Sequence, residues 1–541
     1  MKKVSYFRAA SVFLFSVALL IGCSSGNSPT SSGSSSGGSA APSTSTAPST
    51  STAQETPSTK KDELVVAVNE NFITMDPQNT GDALSSGVQT SMYEGLMIYD
   101  KDLKLIPGLA TEYSANPEAT EYTFKLRQNV KFHDGTPFNA EAVKINFDRM
   151  SNQENNLRAY RNYKYIKSTE VVDVYTVKVT LNQPFSAMIN KFTTGIISPQ
   201  ALEKYGKDIA KNPVGTGPYK FVEWVQGDHL TVELNPDHWN KGAAKVAKIT
   251  YKPVPENGSR VAMLKTGEAD VIYPLPEQQV ETLSGAEGVK VERTPSTITR
   301  YVSINMVKKP FDDPRVRQAI NYAVDKDAFI KVVKAGYGAK LESLMSPTIA
   351  HYAKQGEYEY NVEKAKQLLK EAGYENGFST EIWGNTNSDT MKGMQFIQQQ
   401  LQKVGITVDV KSMEEATLSD EIYNIKSPEE AKMQMWYVSW SSADPDNAMR
   451  SLFSSENFPP AGANTAFYKN DLVDKSIKEA TQSSDQAKQK ELYGIVQENV
   501  FKEAPWIFLA VDEILYGKRS NVDGVYITPS GGIYVREAEI K

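Results

Sequence analysis

From Ser24 to Thr59 the chain is built almost entirely of Ser, Thr, Gly, Pro and Ala; its one charge is Glu55, and it has no aromatic or branched aliphatic side chain. Such a run has nothing to bury, so it cannot offset the conformational entropy lost on ordering and is expected to stay outside any core. It divides the 541-residue chain into a short head ending at Cys23 and a body of about 480 residues, which is too long for one small core and long enough for two or three domains. As a flexible tether the run reaches on the order of 35 Å.

The head carries Lys2, Lys3 and Arg8, then an uncharged, mostly apolar run from Ala9 to Gly22. That run is too short for the anchor helix of a folded domain, and residues 1–22 read as an export signal. The signal ends in "LLIGC", and Cys23 is the only cysteine, so a disulfide framework is excluded. Small and aliphatic residues before a cysteine resemble the lipobox of bacterial lipoproteins. The resemblance implies a diacylglyceryl group on the Cys23 thiol and cleavage that makes it the new N-terminus, with residues 23–60 as lipidated cysteine and linker. The other reading is an ordinary secretory signal with a stray thiol. The expected location is extracytoplasmic, lipid-anchored to the outer face of the cell membrane, in a Gram-positive-type envelope with no periplasmic pool to retain a free protein.

In the body, charges of both signs are interspersed and the whole chain carries a net charge of -6, which argues against nucleic acid as a partner. Four histidines, His133, His229, His238 and His351, lack metal-ligand spacing, so neither a metal site nor a cofactor is expected. Strand and helix signals alternate. In "EYTFKL", Tyr122, Phe124 and Leu126 share one face of a strand, and "VYTVKVTL" alternates likewise. Asp313 and Pro314 open a helix whose apolar stripe is Val316, Ala319, Ile320 and Ala323; Asn361 caps another, with Ala365, Leu368 and Leu369 inward and Gly373 as its stop. "GTGPY" reads as tight backbone geometry and not a phosphate cradle, because no Lys-Ser/Thr pair follows. The pattern is an α/β body of at least two lobes.

Several stretches, in this order, resemble the extracytoplasmic peptide-binding receptors of ABC importers (solute-binding protein family 5): "LIPGLATEYSANPEATEYTFKLRQNVKFHDGTPFNAEAVKINFDRM", "PVGTGPYKFVEW", "SINMVKKPFDDPRVRQAINYAVDKDAFI", "EKAKQLLKEAGYENGFS" and "APWIFLAVDE". "NFITMDPQNTGDALSSGVQTSMYEGL", "RVAMLKTGEA", "TRYVSINM", "FIQQQLQKVGI" and "LFSSENFPPAGANTAFYKN" look most like the glutathione-binding branch. The resemblance implies a two-lobed periplasmic-binding-protein-like α/β fold, class II, of the three-domain dipeptide-binding type, with a hinge. Lobe I would combine 61–98, 213–303 and 508–541; an accessory β-rich subdomain would span 99–212, and lobe II 304–507. It implies no enzyme but a monomeric receptor that closes on glutathione or a short peptide and docks on a permease with its ATPases.

The same resemblance supplies the expected contacts. The stretch from Met433 to Trp440 reads as a buried core strand that breaks into "SSADPD". In dipeptide-binding relatives the acid of this tryptophan-led loop, here Asp444, receives the ligand's α-ammonium, since an engulfed ammonium without a carboxylate would be a buried unpaired charge. Asp446 is the alternative anchor or else a helix cap, and Trp440, Tyr437 and Trp383 could wall the pocket. The relatives' carboxylate-gripping arginine is missing from "IWGNTNSDTMKG", which offers Asn385, Asn387 and Ser388 instead. Arg300, in "TRYVSIN", becomes the candidate for a carboxylate, its alternative being a structural ion pair. Asn71, Thr74 and Tyr93 lie in early loops that could reach the cleft. An Asp-Pro-Asp loop also suits a glycoside hydrolase, but both acids come from one tripeptide, whereas that chemistry needs them on opposite sides of a bond. A di- or oligopeptide, nickel or signalling receptor of the same family is the remaining alternative.

Overall fold

The computed structural model describes residues 62–541, Ala243 excepted; the expected signal segment, Cys23 and the linker lie outside the described residues. The described residues form one compact unit. Its spine is an eleven-stranded mixed sheet in the order Ile406–Met413, Phe378–Asn385, Met435–Ser441, Val289–Ile304, Trp506–Arg519, Val271–Tyr273, Glu63–Val68, Lys248–Pro253, His229–Leu234 and Tyr219–Val225, with Gly338–Lys340 beside Trp506–Arg519. Glu63–Val68 pairs in parallel with both neighbours, which explains its unbroken apolar run: Leu64, Val66 and Val68 enter one core, Val65 and Ala67 another.

Two long antiparallel strands, Val289–Ile304 and Trp506–Arg519, join the two halves of this sheet. At one end Val291 and Leu515 pack with Leu264 and Ile272; at the other Val302 and Ile507 pack under Val316 and Ile320 of the helix Pro314–Ala323. Between them the ladder slips, from Pro295 to Thr299 and again at Arg300/Tyr301. Proline has no N–H to give to the ladder, so the break falls where the sequence removes a donor. The helix signals read from the sequence are present as expected: Asp313 accepts from the Arg315 N–H at 2.8 Å, and Asn361 from Lys364 at 2.9 Å.

A separate four-stranded antiparallel sheet, Ala110–Ala115, Glu121–Leu126, Thr176–Leu181 and Ile166–Asp173, covers its own core. Tyr122, Phe124 and Leu126 all point into it, and Phe192 meets Phe124 and Phe147 at 4.9 and 5.4 Å between ring centroids. Distant segments are tied together by the buried Glu94, which accepts from Arg536 at 2.8 Å, Thr216 at 2.9 Å and Trp239 at 3.0 Å, with His238 at 3.3 Å. Burial alone would raise this carboxyl; the His238 hydrogen bond and the charges of Arg536 and His238 bring it down to about 2.

The stretch from Met433 to Trp440 departs from the buried core strand expected of it. The strand is Met435–Ser441 and is not buried throughout: Met435 and Tyr437 are in the core, while Trp436, Val438 and Trp440 are only half-buried on the opposite face. Alternation of burial had been masked because both faces carry large apolar residues.

Candidate functional site

The loop after the first strand is fixed by its own short polar side chains and by a helix that packs on the four-stranded sheet. Asp76 accepts from the Gln78 N–H at 2.9 Å, and Arg149, on the helix Ala140–Ser151, reaches Asp76 at 2.8 Å and Gln78 at 2.5 Å. The loop in turn holds the segment at 158: Arg158 N–H donates to Asn79 Oδ1 and Ala159 N–H to the Gln78 carbonyl, both at 3.1 Å. These bonds shape a cavity of about 470 Å³ between the helix Ala83–Met92, the segments at 158–162 and 193–195, and the C-terminal segment at 528–536. Its size falls in the range of roughly 300–1,000 Å³ usual for small-molecule sites.

Tyr93, Tyr99, Arg158, Arg161 and Arg536 are among the cavity's walls. Arg536 is committed to Glu94 and the Tyr93 carbonyl. Arg158 and Arg161 are exposed and have no ion-pair partner among the described residues. Burial, with the charge of Asp444 adding to it, pushes the Tyr99 phenol up.

The Asp-Pro-Asp loop sits on a seam where the segment at 186–191 meets the helices Pro445–Phe453 and Asp471–Thr481. Asp444 caps the helix Pro445–Phe453 by accepting from the Asp446 N–H at 3.0 Å, and its other oxygen meets Lys191 Nζ at 2.6 Å. Around it Ser186 donates through N and Oγ to the Thr481 and Ala480 carbonyls at 2.8 and 2.9 Å, and Ser484 Oγ to the Asn116 carbonyl at 3.0 Å. Asp446 is therefore not the cap. It lies inside the first turn, buried, bound to Arg450 at 2.9 Å and Thr481 at 3.1 Å. Burial and the neighbouring Asp444 push its carboxyl up against the pull of Arg450.

The other expected contacts are dispersed. Tyr93 alone among them lines the large cavity; Trp440 lines a second one of about 220 Å³ with Tyr301, Tyr423 and Trp436, and its indole N–H has no partner among the described residues. Arg300 makes the structural ion pair, meeting Asp512 at 2.7 Å, and Lys334 lies 3.4 Å from the same carboxylate. Burial pushes the adjacent Tyr437 phenol up to about 12 although Arg300 opposes it. Trp383 packs with Leu418, Ile422 and Met433 and donates to Glu381 at 2.7 Å; Asn385 donates to Glu415 at 2.8 Å. Thr74 accepts from the Asp76 N–H at 3.1 Å, and Asn71 is exposed. Sequence reasoning missed Arg158, Arg161 and Lys191. The first two stand in "NNLRAYRNYKY", a run with no periodicity to distinguish it from a solvated loop, and "MINK" carries no signal for its lysine. Among the described residues no group of three or more His, Cys, Asp or Glu could hold a metal ion, and no helix is long and apolar enough to cross a membrane.

The sequence profile of the bacterial extracellular solute-binding proteins, family 5, matches residues 104–460. The chain is 43% identical to the glutathione-binding protein GsiB of Salmonella typhi over 491 residues, 90% of this chain and 96% of that protein. To GsiB of Escherichia coli O157:H7 it is 42% identical over 485 residues, 88% and 94% of the two chains. Among solved structures it resembles HbpA2 from Haemophilus parasuis, with TM-score 0.82 and 27% identity over 88% of this chain and 100% of that one. It also resembles the ABC transporter-associated periplasmic binding protein DppA from Helicobacter pylori in complex with the peptide STSA, with TM-score 0.70 and 30% identity over 89% and 98%.

Proposed function

Since the chain belongs to the bacterial extracellular solute-binding proteins of family 5, whose members here are receptors and not enzymes, we propose that it captures glutathione for an ABC importer. The observation that carries this reading is the 43% identity, over nearly the whole length of both proteins, to a glutathione-binding protein. The large cavity supports it, having room for a tripeptide and unspent positive charge in its wall. Short peptides are the second reading, favoured by the 30% identity to the peptide-complexed DppA.

In this mechanism lobe I is 61–98, 213–303 and 508–541, the accessory subdomain 99–212, and lobe II 304–507. The lobes turn about residues 296–298 of the first long strand, where its pairing with the second long strand is interrupted although Ile298 still pairs with Ser441. Ligand enters the open form, closure buries it, and the closed monomer docks on the permease, whose ATPases drive release. Asp444 could take the ligand's ammonium only by exchanging Lys191 for it, so in this reading the acid couples ligand binding to the seam. The protein is held at the outer face of the membrane by lipid on Cys23, with the linker as spacer, in an envelope of Gram-positive type. The lipobox-like "LLIGC" supports the anchor. Labelling with radioactive palmitate tests it: wild type should take up label and Cys23→Ser should not.

The ligand is tested by a thermal-shift series on protein unfolded and refolded to strip carried-over ligand, with reduced and oxidised glutathione, di- to pentapeptides and Ni²⁺. A saturable rise in Tm reports preferential binding to the folded state. A rise confined to the glutathiones supports the proposal. A rise with ordinary peptides alone overturns glutathione in favour of the second reading.

A further inference from the structure

We infer that Arg158 and Arg161 grip the two carboxylates of the ligand, supplying the anchors that neither Arg300 nor the strand Phe378–Asn385 provides. The inference rests on the glutathione reading, and four observations point to it. Arg300 is unavailable as a free cation, because Asp512 holds it at 2.7 Å and that carboxylate is only 7% exposed. No arginine occurs between Glu381 and Gly393. Of the three guanidiniums in the wall of the large cavity, Arg536 is already bonded to a buried acid. Only Arg158 and Arg161 remain without an ion-pair partner among the described residues.

Their placement is built and not incidental. The backbone at 158–159 is pinned by two hydrogen bonds to Gln78 and Asn79, and Gln78 is pinned in turn by Asn146 at 2.6 Å and Arg149. The Arg158 side chain lies across Gly81, where an added methyl would stand 2.8 Å from the guanidinium carbon; a side chain at 81 would push the guanidinium aside. Two planar forks three residues apart, at the edge of a cavity of about 470 Å³, fit a ligand with a carboxylate at each end. Glutathione is such a ligand: its γ-linkage leaves the glutamyl carboxylate free beside the ammonium, and glycine supplies the second. An ordinary peptide has only one terminal carboxylate.

The test is calorimetry with glutathione and with its glycyl monoethyl ester on wild type, Arg158→Gln and Arg161→Gln. Both arginines are exposed and have no ion-pair partner among the described residues, so each variant should keep the wild-type Tm. Each should bind glutathione at least tenfold more weakly. One of the two, and only one, should also lose the difference between glutathione and the ester, which identifies the arginine on the glycyl carboxylate. Gly81→Ala should weaken glutathione binding in the same direction as Arg158→Gln. Glutathione affinity within twofold of wild type in either variant, or an ester penalty preserved in both, overturns the inference. If wild type itself ignores glutathione, the functional reading has failed instead. The arginines are then judged on whichever short peptide binds, free acid against C-terminal amide, and no loss of that difference in either variant overturns them too.

Discussion

His133 sits between two backbone groups: the Gly215 N–H donates to Nδ1 at 3.3 Å, and Nε2 faces the Gly217 carbonyl at 3.0 Å. Only a neutral ring with its proton on Nε2 satisfies both, because a second proton on Nδ1 would confront an N–H. Burial is the main reason its pKa falls to about 4, below the 6.5 of a free imidazole. The unfolded chain therefore takes up the proton first as pH falls. The stabilisation is complete above pH 6.5 and is lost toward pH 4, in all about 3 kcal/mol. Urea unfolding should show this decline in wild type and a shallower one in His133→Asn; equal slopes would contradict it. Asp444 has two jobs that substitution can separate. Asp444→Asn keeps a capping oxygen and abandons Lys191, whereas Asp444→Ala loses both. The alanine variant should lose about 3 kcal/mol and the asparagine variant less, measured by denaturant midpoint. The aspartate was legible in "SSADPD" as a residue of interest, but its lysine partner was not, since Lys191 and Asp444 meet only through the fold.

Within single elements, sequence signals hold where one residue decides the outcome. Asp313, Asn361 and the alternation in "EYTFKL" act through hydrogen bonds or faces within a few residues. In the strand Met435–Ser441 apolar residues on both faces conceal which face is covered, and only tertiary packing settles that. Its Tyr437 ring explains a helix glycine. Gly393, within Ser388–Gln402, would place a methyl 2.6 Å from Tyr437 Cε2. Intrinsic propensity favours alanine in a helix by about 1 kcal/mol, yet overpacking a rigid ring costs about 1–3 kcal/mol. Gly393→Ala should therefore be destabilised overall, and a raised Tm would contradict the packing account.

Across the whole molecule, Glu94 ties the end of the first helix to Thr216, Trp239 and the C-terminal Arg536. Its folded pKa of about 2 lies below the 4.5 of a free glutamate, so its contribution is present above pH 4.5 and is lost as pH falls toward 2, up to about 3 kcal/mol. Glu94→Gln should be less stable than wild type at neutral pH and should lose less on acidification between these limits; an unchanged acid slope would count against the network. Family and fold class could be read from motifs spread along the body, because each motif fixes local structure wherever the chain goes. The cavity could not, because its walls come from segments hundreds of residues apart, Thr90 and Tyr534 among them. Capture of glutathione by this chain is tested by titration calorimetry of the stripped protein with reduced and oxidised glutathione beside tri-alanine. At least one glutathione should bind saturably and one-to-one with a Kd in the micromolar range or tighter, and tri-alanine at least tenfold more weakly. Tri-alanine binding as tightly as the tighter-binding glutathione, or no saturable heat from either glutathione, would contradict glutathione capture.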